Sequence, residues 1–278
     1  MSIISIQSHV AYGYVGNKAA VYPLQSMGYD VWPINTVQFS NHTGYGKWKG
    51  EFFSANHIRD IIKGLQDLGV AHQCKAILSG YMGSGEICQA VQDAAKEFKA
   101  TNSELVYLCD PVIGNGTCYV KPEVLEFFKT NLQADIITPN QYEAEILSNI
   151  KIQNTKDLYK VSDYFHNLGI KILIITGIES KQEPGKLSVF ISCEAGKYIV
   201  ETKEYKFDIP VNGTGDLFSA LYLGAYLSSR DALNALQKAI GFMDIVLANT
   251  QKAKTRELQV LSARYQDPLL SIPTCAKI

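Results

Sequence analysis

Val211-Asn212-Gly213-Thr214-Gly215-Asp216, followed directly by the apolar stretch Leu217 to Leu227, decides how this 278-residue chain is read. Leu217, Phe218, Ala220, Leu221, Leu223, Ala225 and Leu227 leave a helix here almost no polar face, which predicts burial on several sides. A helix planted in a core gives its own N-terminus a rigid support. Two glycines ahead of that N-terminus let backbone N–H groups turn toward one point, where the helix dipole adds partial positive charge. The result is a cradle for an anion such as phosphate. A carboxylate would repel the anion unless it faced a second reactant, so Asp216 fits an alcohol about to lose its proton. G-x-G-D also describes an ordinary turn whose aspartate caps the next helix.

Outward from this run, short apolar strands alternate with amphipathic helices. Strands are expected at Ile3–Gln7, Val31–Val37, Ala76–Ser79, Leu105–Cys109, Asp135–Thr138 and Ile172–Thr176. Helices are expected at Ala19–Met27, Ala55–Leu68, Ile87–Phe98, Pro122–Phe128, Gln141–Leu147 and Leu158–Leu168. Late strands, Leu187–Ser192 and Tyr198–Lys206, are joined by the turn Glu194-Ala195-Gly196. Helices at Ala232–Ala248 and Leu258–Tyr265 finish the pattern. The expected fold is α/β, a mostly parallel central sheet flanked by helices on both faces. With neither repeat nor low-complexity linker, residues 1–278 are read as a single domain.

The bulk numbers narrow the function. A formal net charge of −1, with 46% hydrophobic and 19% charged residues, offers no field for nucleic acid or an anionic membrane surface. The longest apolar runs fall short of a membrane span, and Met1-Ser2-Ile3-Ile4-Ser5-Ile6 lacks a basic leader segment. Six scattered cysteines without a C-x-x-C pair suit reduced thiols, hence a cytoplasmic protein.

Ligands of such sheets sit beyond the carboxyl ends of the strands. The polar residues expected there are Ser8 and His9, Gln38 to Thr43, Gly80-Tyr81, Asp110, Thr138 to Asn140, and Thr176-Gly177. Asp110 precedes Pro111, which holds it extended; it suits a carboxylate beside a cation, or a turn aspartate. Asn140 and Glu143, three apart, can share a helix face; Glu143 can hold a magnesium-bound water, and the pair also fits a capping box. Gln38 to Tyr45 mixes aromatic and hydrogen-bonding groups, suited to closing over a flat heteroaromatic ring or to a surface hairpin. Tyr81 can stack on such a ring or simply pack. His42 reads as a satisfied loop histidine. Cys118, in the Gly-rich stretch after Asp110, can add reversibly to an aldehyde as thiolate, or be an ordinary half-buried thiol. Gly13 and Gly16 do not form G-x-G-x-x-G, against a dinucleotide site.

Taken together, several stretches resemble pyridoxal kinases of the ribokinase-like superfamily. They are Gln7-Ser8-His9-Val10, Gly13-Tyr14-Val15-Gly16-Asn17, Val37 through Tyr45, Trp48-Lys49-Gly50, Ser79-Gly80-Tyr81, Cys109-Asp110-Pro111-Val112, Ile137 through Glu145, and Gly213-Thr214-Gly215-Asp216. The last marks the superfamily, and Ser40 to Tyr45 points more narrowly to pyridoxal. The resemblance implies ATP-dependent phosphorylation of the 5′-hydroxyl of pyridoxal and related B6 vitamers, in a homodimer, with Mg²⁺ and a monovalent cation such as K⁺. By position it makes Asp216 the base and the amides of Gly213, Thr214 and Gly215 the anion hole. Ser8, Val15, Thr43, Gly44 and Tyr81 fall at the vitamer, and Cys118 lines up with a cysteine that one bacterial branch can bond to pyridoxal. Asp110, Thr138 and Glu143 fall at the cation, and Asp110, Asn140, Glu143 and Thr176 on the nucleotide side with Gly213 and Gly215. The loop after Asp110 is shorter than in animal-type enzymes, which often carry an aspartate where Asn115 stands, and 201–210 offers no recognisable adenine contact. The same chemistry on another hydroxymethylated ring or a sugar, or a B6 carrier using Cys118, are the competing readings.

Overall fold

Ser2–Val10 forms strand β1, buried over most of its length as a strand covered on both faces must be. The protein is described by a computed structural model over residues 1–179, 185–265 and 270–278. After β1 come α1 (Asn17–Ser26), β2 (Asp30–Phe39), the short β3 (Gly50–Phe52), α2 (Ala55–Asp67), β4 (Cys74–Ser79), α3 (Gly85–Thr101) and β5 (Val106–Cys109). A hairpin of β6 (Gly114–Asn115) and β7 (Thr117–Cys118) precedes α4 (Pro122–Asn131), β8 (Ile136–Ile137), α5 (Gln141–Ser148), α6 (Thr155–Asn167) and β9 (Ile172–Glu179). Then follow β10 (Lys186–Cys193), β11 (Gly196–Lys203), α7 (Thr214–Ser229), α8 (Ala232–Ala253) and β12 (Ala276–Lys277).

The main sheet runs β12-β11-β10-β9-β8-β5-β4-β1-β2-β3. From β2 to β9 all neighbours are parallel. β3 at one edge and β10, β11 and β12 at the other are antiparallel. The chain steps outward from β1 to β2, then returns past β1 to β4 and on to β9. That reversal opens a crevice at the carboxyl ends of β1 and β4.

Alternation along the strands divides two cores. Ile4, Ile6, Ile77, Tyr107, Ile137 and Leu173 pack with α2 to α6. Ile3, Ala76, Leu78, Leu108, Ile136 and Ile174 pack with α1, α7 and α8. In α7 every residue from Leu217 to Ala225 is buried, as its apolar sequence requires. The expected helix over Leu258–Tyr265 is not there: only a single turn, Val260–Ser262, forms. Leu258, Val260, Ala263 and Tyr265 are all buried, a two-or-three-residue rhythm that an irregular strap against α1 and α8 meets better than a helix. The strap is tied down where Gln259 N donates to Thr250 Oγ1 at 2.9 Å and Tyr265 Oη to the Val260 carbonyl at 2.6 Å.

Candidate active site

Among the described residues, five of the eight helices begin on a side-chain cap: Ser54, Ser84, Asn140, Asn154 and Asp231 accept from first-turn amides. α1, α4 and α7 do not: α4 opens on Pro122, whereas α1 and α7 each start from a glycine, Gly16 and Gly213, with no side-chain partner. These two uncapped starts meet. A Cβ on Gly213 (φ +87°) would lie 2.0 Å from the Tyr14 carbonyl oxygen, and one on Gly16 (φ +53°) 2.0 Å from that of Ser8. Only glycine permits both the backbone angle and the approach. First-turn amides of α7 are thus left for a ligand, with the positive end of its dipole.

Asp216 occupies the third residue of α7, half-buried in this junction. Burial pushes its carboxyl above the usual aspartate value, and a hydrogen bond from the Gly16 N–H pulls the other way. Asp110, at the end of β5, is 4% exposed; burial, then the charges of Glu143 and Asp216, push its carboxyl well up, against one hydrogen bond from Ser219. Glu143 is as buried, and burial raises it to about 7 although three amides donate to it. Those are Ile113 N at 2.9 Å and Gly114 N at 3.3 Å to Oε1, and Asn140 N at 2.9 Å to Oε2. Among the described residues no lysine or arginine pairs with any of the three acids, and no cluster has the spacing of a protein-only metal cage. Mutually repelling buried carboxylates without a cationic partner fit a hydrated cation, since Mg²⁺ keeps most of its waters.

Thr138, at the end of β8, shares a 2.8 Å hydrogen bond with Ser219 of α7. Asn140 is fully engaged: Oδ1 accepts from Glu143 N at 2.9 Å and Nδ2 donates to the Gly114 carbonyl at 2.8 Å. With Glu143 it forms the capping box the sequence allowed. Thr176 lies beside it across an isolated bridge. Asn140, Thr176, Thr214 and Gly215 all line an open cleft of about 870 Å³. Leu187, Val189, Thr202, Phe207, Phe218 and Met243 also line it. The segment 201–207, unreadable as a base pocket in the sequence, forms part of that lining. Its residues come together only through the β10–β11 hairpin and α8.

On the other side of Asp216, Val15, Val10, Val37, Phe39 and Tyr81 form a small apolar cluster at the ends of β1, β2 and β4. Ser8 Oγ lies against Gly16, 2.4 Å from where its Cβ would be. Burial raises the Tyr81 hydroxyl. Beyond β2 a single turn, Thr43–Tyr45, is capped by His42, whose Nδ1 accepts from Gly44 N at 3.1 Å. Thr43 and Gly44 are exposed at this rim. Cys118 is exposed on the β6–β7 hairpin, its Sγ 3.8 Å from the Val120 carbonyl, and none of its described contacts reaches Ser8, Thr43 or Tyr81. Two residues absent from the sequence reading, Arg256 and Glu257, join the rim: Glu257 Oε2 accepts from Tyr14 N at 3.0 Å and Arg256 Nη2 donates to the Gly44 carbonyl at 2.6 Å.

Residues 54–260 match the family model described as phosphomethylpyrimidine kinase. Pyridoxal kinase PdxY of Corynebacterium diphtheriae is 38% identical over 269 residues, 95% of this chain and 94% of that protein. The same enzyme of Granulibacter bethesdensis is 38% identical over 99% of this chain and 98% of that protein. Among solved structures, pyridoxal kinase from Leishmania donovani in complex with ADP and pyridoxine superposes with a TM-score of 0.90 at 32% identity, covering 99% and 98% of the two chains. Plasmodium falciparum PdxK with AMP-PNP and PL gives 0.85 at 28% identity, over 99% and 98%. A fold, a cleft and a full-length likeness thus agree, and the chain belongs to the pyridoxal kinase family of ribokinase-like enzymes.

Proposed function

We propose that this kinase transfers the γ-phosphoryl group of ATP to the 5′-hydroxyl of pyridoxal, and of related B6 vitamers, giving pyridoxal 5′-phosphate and ADP. The observation that supports this is one acid, Asp216, in the first turn of an uncapped helix, its carboxyl met by the amide of Gly16, next in sequence to Val15 of the apolar cluster. Asp216 takes the alcohol proton as the new O–P bond forms and the bond to the ADP oxygen breaks. Phosphoryl transfer asks mainly for position and charge neutralisation. The amides of Gly213, Thr214 and Gly215 form the anion hole for the moving group. Asn140 and Thr176 stand at the phosphates, and the cleft wall receives the base.

Asp110, Thr138 and Glu143 would hold Mg²⁺ through its waters, with a monovalent cation such as K⁺ nearby; the bound cation supplies charge neutralisation at the phosphates. Ser8, Val15, Thr43, Gly44 and Tyr81 hold the vitamer ring, with the Cys118 thiol available to its aldehyde. The active form is a homodimer of single-domain chains. The family model's description favours one second reading, a hydroxymethylpyrimidine as the acceptor. Parallel assays with ATP on pyridoxal, pyridoxine, a hydroxymethylpyrimidine and ribose decide between them. Pyridoxal is expected to give the highest kcat/KM; a pyrimidine preference would replace this reading with the second.

A further inference from the structure

We infer that Arg256 and Glu257, in the turn after α8, are positioning residues that clamp the Thr43–Tyr45 rim and the Gly13–Tyr14 loop into the geometry that receives the vitamer. The inference rests on the reading above that the Thr43–Tyr45 turn meets the vitamer ring.

Each group of the clamp has a distinct partner. The Glu257 carboxylate divides its two oxygens between two loops: Oε2 takes the Tyr14 amide at 3.0 Å and Oε1 the Tyr45 hydroxyl at 2.5 Å. The Arg256 guanidinium lies 3.9 Å from the centre of the Tyr45 ring and donates through Nη2 to the Gly44 carbonyl at 2.6 Å. A planar, permanently charged fork can stack and donate at once, which an ammonium cannot do equally well. The hydrogen bond to Glu257, with burial and the Glu257 charge adding to it, pushes the Tyr45 hydroxyl up to about 12, so it stays a donor.

Both loops carry the consequence in their own sequence. A Cβ on Gly13 would sit 2.3 Å from Glu257 Oε2, and one on Gly44 2.9 Å from Arg256 Nη2. With a side chain at either glycine, the clamp's carboxylate or guanidinium would have to move from its present position. Arg256 Nε is buried with no hydrogen-bond partner, a cost accepted in holding the guanidinium over the ring. Tyr14 then passes the constraint inward, because its carbonyl abuts Gly213 and the amide of Gly16 meets Asp216. The contacts span 212 residues of chain to Tyr45 and 243 to Tyr14. They have no local role that would explain two adjacent opposite charges in one turn.

The test compares Arg256→Met, Arg256→Lys, Glu257→Gln and Thr43→Ala with the parent in the full-length chain, reading KM for pyridoxal, KM for ATP, Tm and amide exchange over residues 42–46. Glutamine keeps one acceptor oxygen, so Glu257→Gln retains at most one of the two bonds. Arg256→Met is expected to raise the pyridoxal KM about five- to tenfold, the range for losing one cation–π contact and one charge-assisted hydrogen bond at a half-exposed site. KM for ATP and Tm should stay at parent values, exchange at 42–46 should quicken, and Arg256→Lys should recover part of the loss. An unchanged pyridoxal KM overturns the inference, as does a rise shared equally by ATP with a fall in Tm, which is plain structural damage. If exchange quickens but Thr43→Ala also leaves the pyridoxal KM untouched, the rim does not meet the vitamer. The reading beneath the clamp is then what has failed.

Discussion

Asp216 combines two environments that a mutation can separate. Burial raises its carboxyl and the Gly16 amide lowers it, the kind of opposition by which a general base is tuned. Asp216→Ala should leave vitamer binding largely intact and cut kcat roughly 10²–10⁴-fold, about 3–5 kcal/mol of barrier. Near-parent turnover in the folded variant, measured by ADP release, would remove it from the base role. Because the base must be deprotonated, the acidic limb of the kcat/KM profile should lie above the ordinary aspartate range. Glu143 gives a second pH dependence. Its folded value of about 7 exceeds the ordinary 4.5, so its contribution to stability is fully present below about 4.5 and is lost as pH rises through 7. A cation offsets that loss only where the carboxylates are charged. The rise in Tm on adding Mg²⁺ should therefore be larger at pH 8 than at pH 5, and equal shifts would argue against a cation among these acids. At this scale the sequence singled out Asp110, Glu143 and Asp216, which follow a strand, an Asn cap and a glycine turn, and the fold buries the first two with their charges facing one another. Arg256 and Glu257 were not singled out: nothing near them in sequence says that they reach residues 13–14 and 44–45.

At the scale of elements, the absence of a cap on α1 and α7 is the informative feature, and it separates two glycines that look alike in the sequence. Gly213 sits at positive φ with a carbonyl 2.0 Å from its missing Cβ, whereas Gly215 would place a Cβ 3.4 Å from Asp110 Oδ2, ordinary contact. Gly213→Ala should lower Tm markedly as well as activity. Gly215→Val should fold with a Tm close to the parent value but lose turnover, because phosphate must approach bare backbone. An active Gly215→Val enzyme would rule out the cradle. The strand–helix alternation was legible from β1 to α6 because apolar periodicity there is strong. Three kinds of element escaped: β3 and β12, too short and exposed to carry a pattern; the β6–β7 hairpin, which depends on Glu143 gripping Ile113 and Gly114; and the strap at Leu258–Tyr265, mistaken for a helix. In each, tertiary contacts override local preference.

For the whole molecule, the two halves of the sheet do different work. The parallel strands β5 and β8 lead to Asp110 and to the helix that carries Glu143, while the antiparallel β10 and β11 and helix α8 wall the open cleft. The parallel half was readable from sequence alone; the cleft wall was not, since Leu187, Thr202, Phe207 and Met243 meet only after folding. The homodimer is checked by light scattering, with an expected mass of twice the 30.8 kDa chain; a particle of one chain mass that retains full activity would contradict it. One feature binds these scales together: α7 is encased in the core yet carries Asp216, the proposed base, in its first turn. Tyr222, with no exposed surface, lies roughly 9 Å along the axis from Asp216. A volume error there, nudging the helix by a fraction of an ångström, would register in an assay as a fault of chemistry although the altered side chain meets no ligand. Drift in the interior of this helix is thereby converted into turnover.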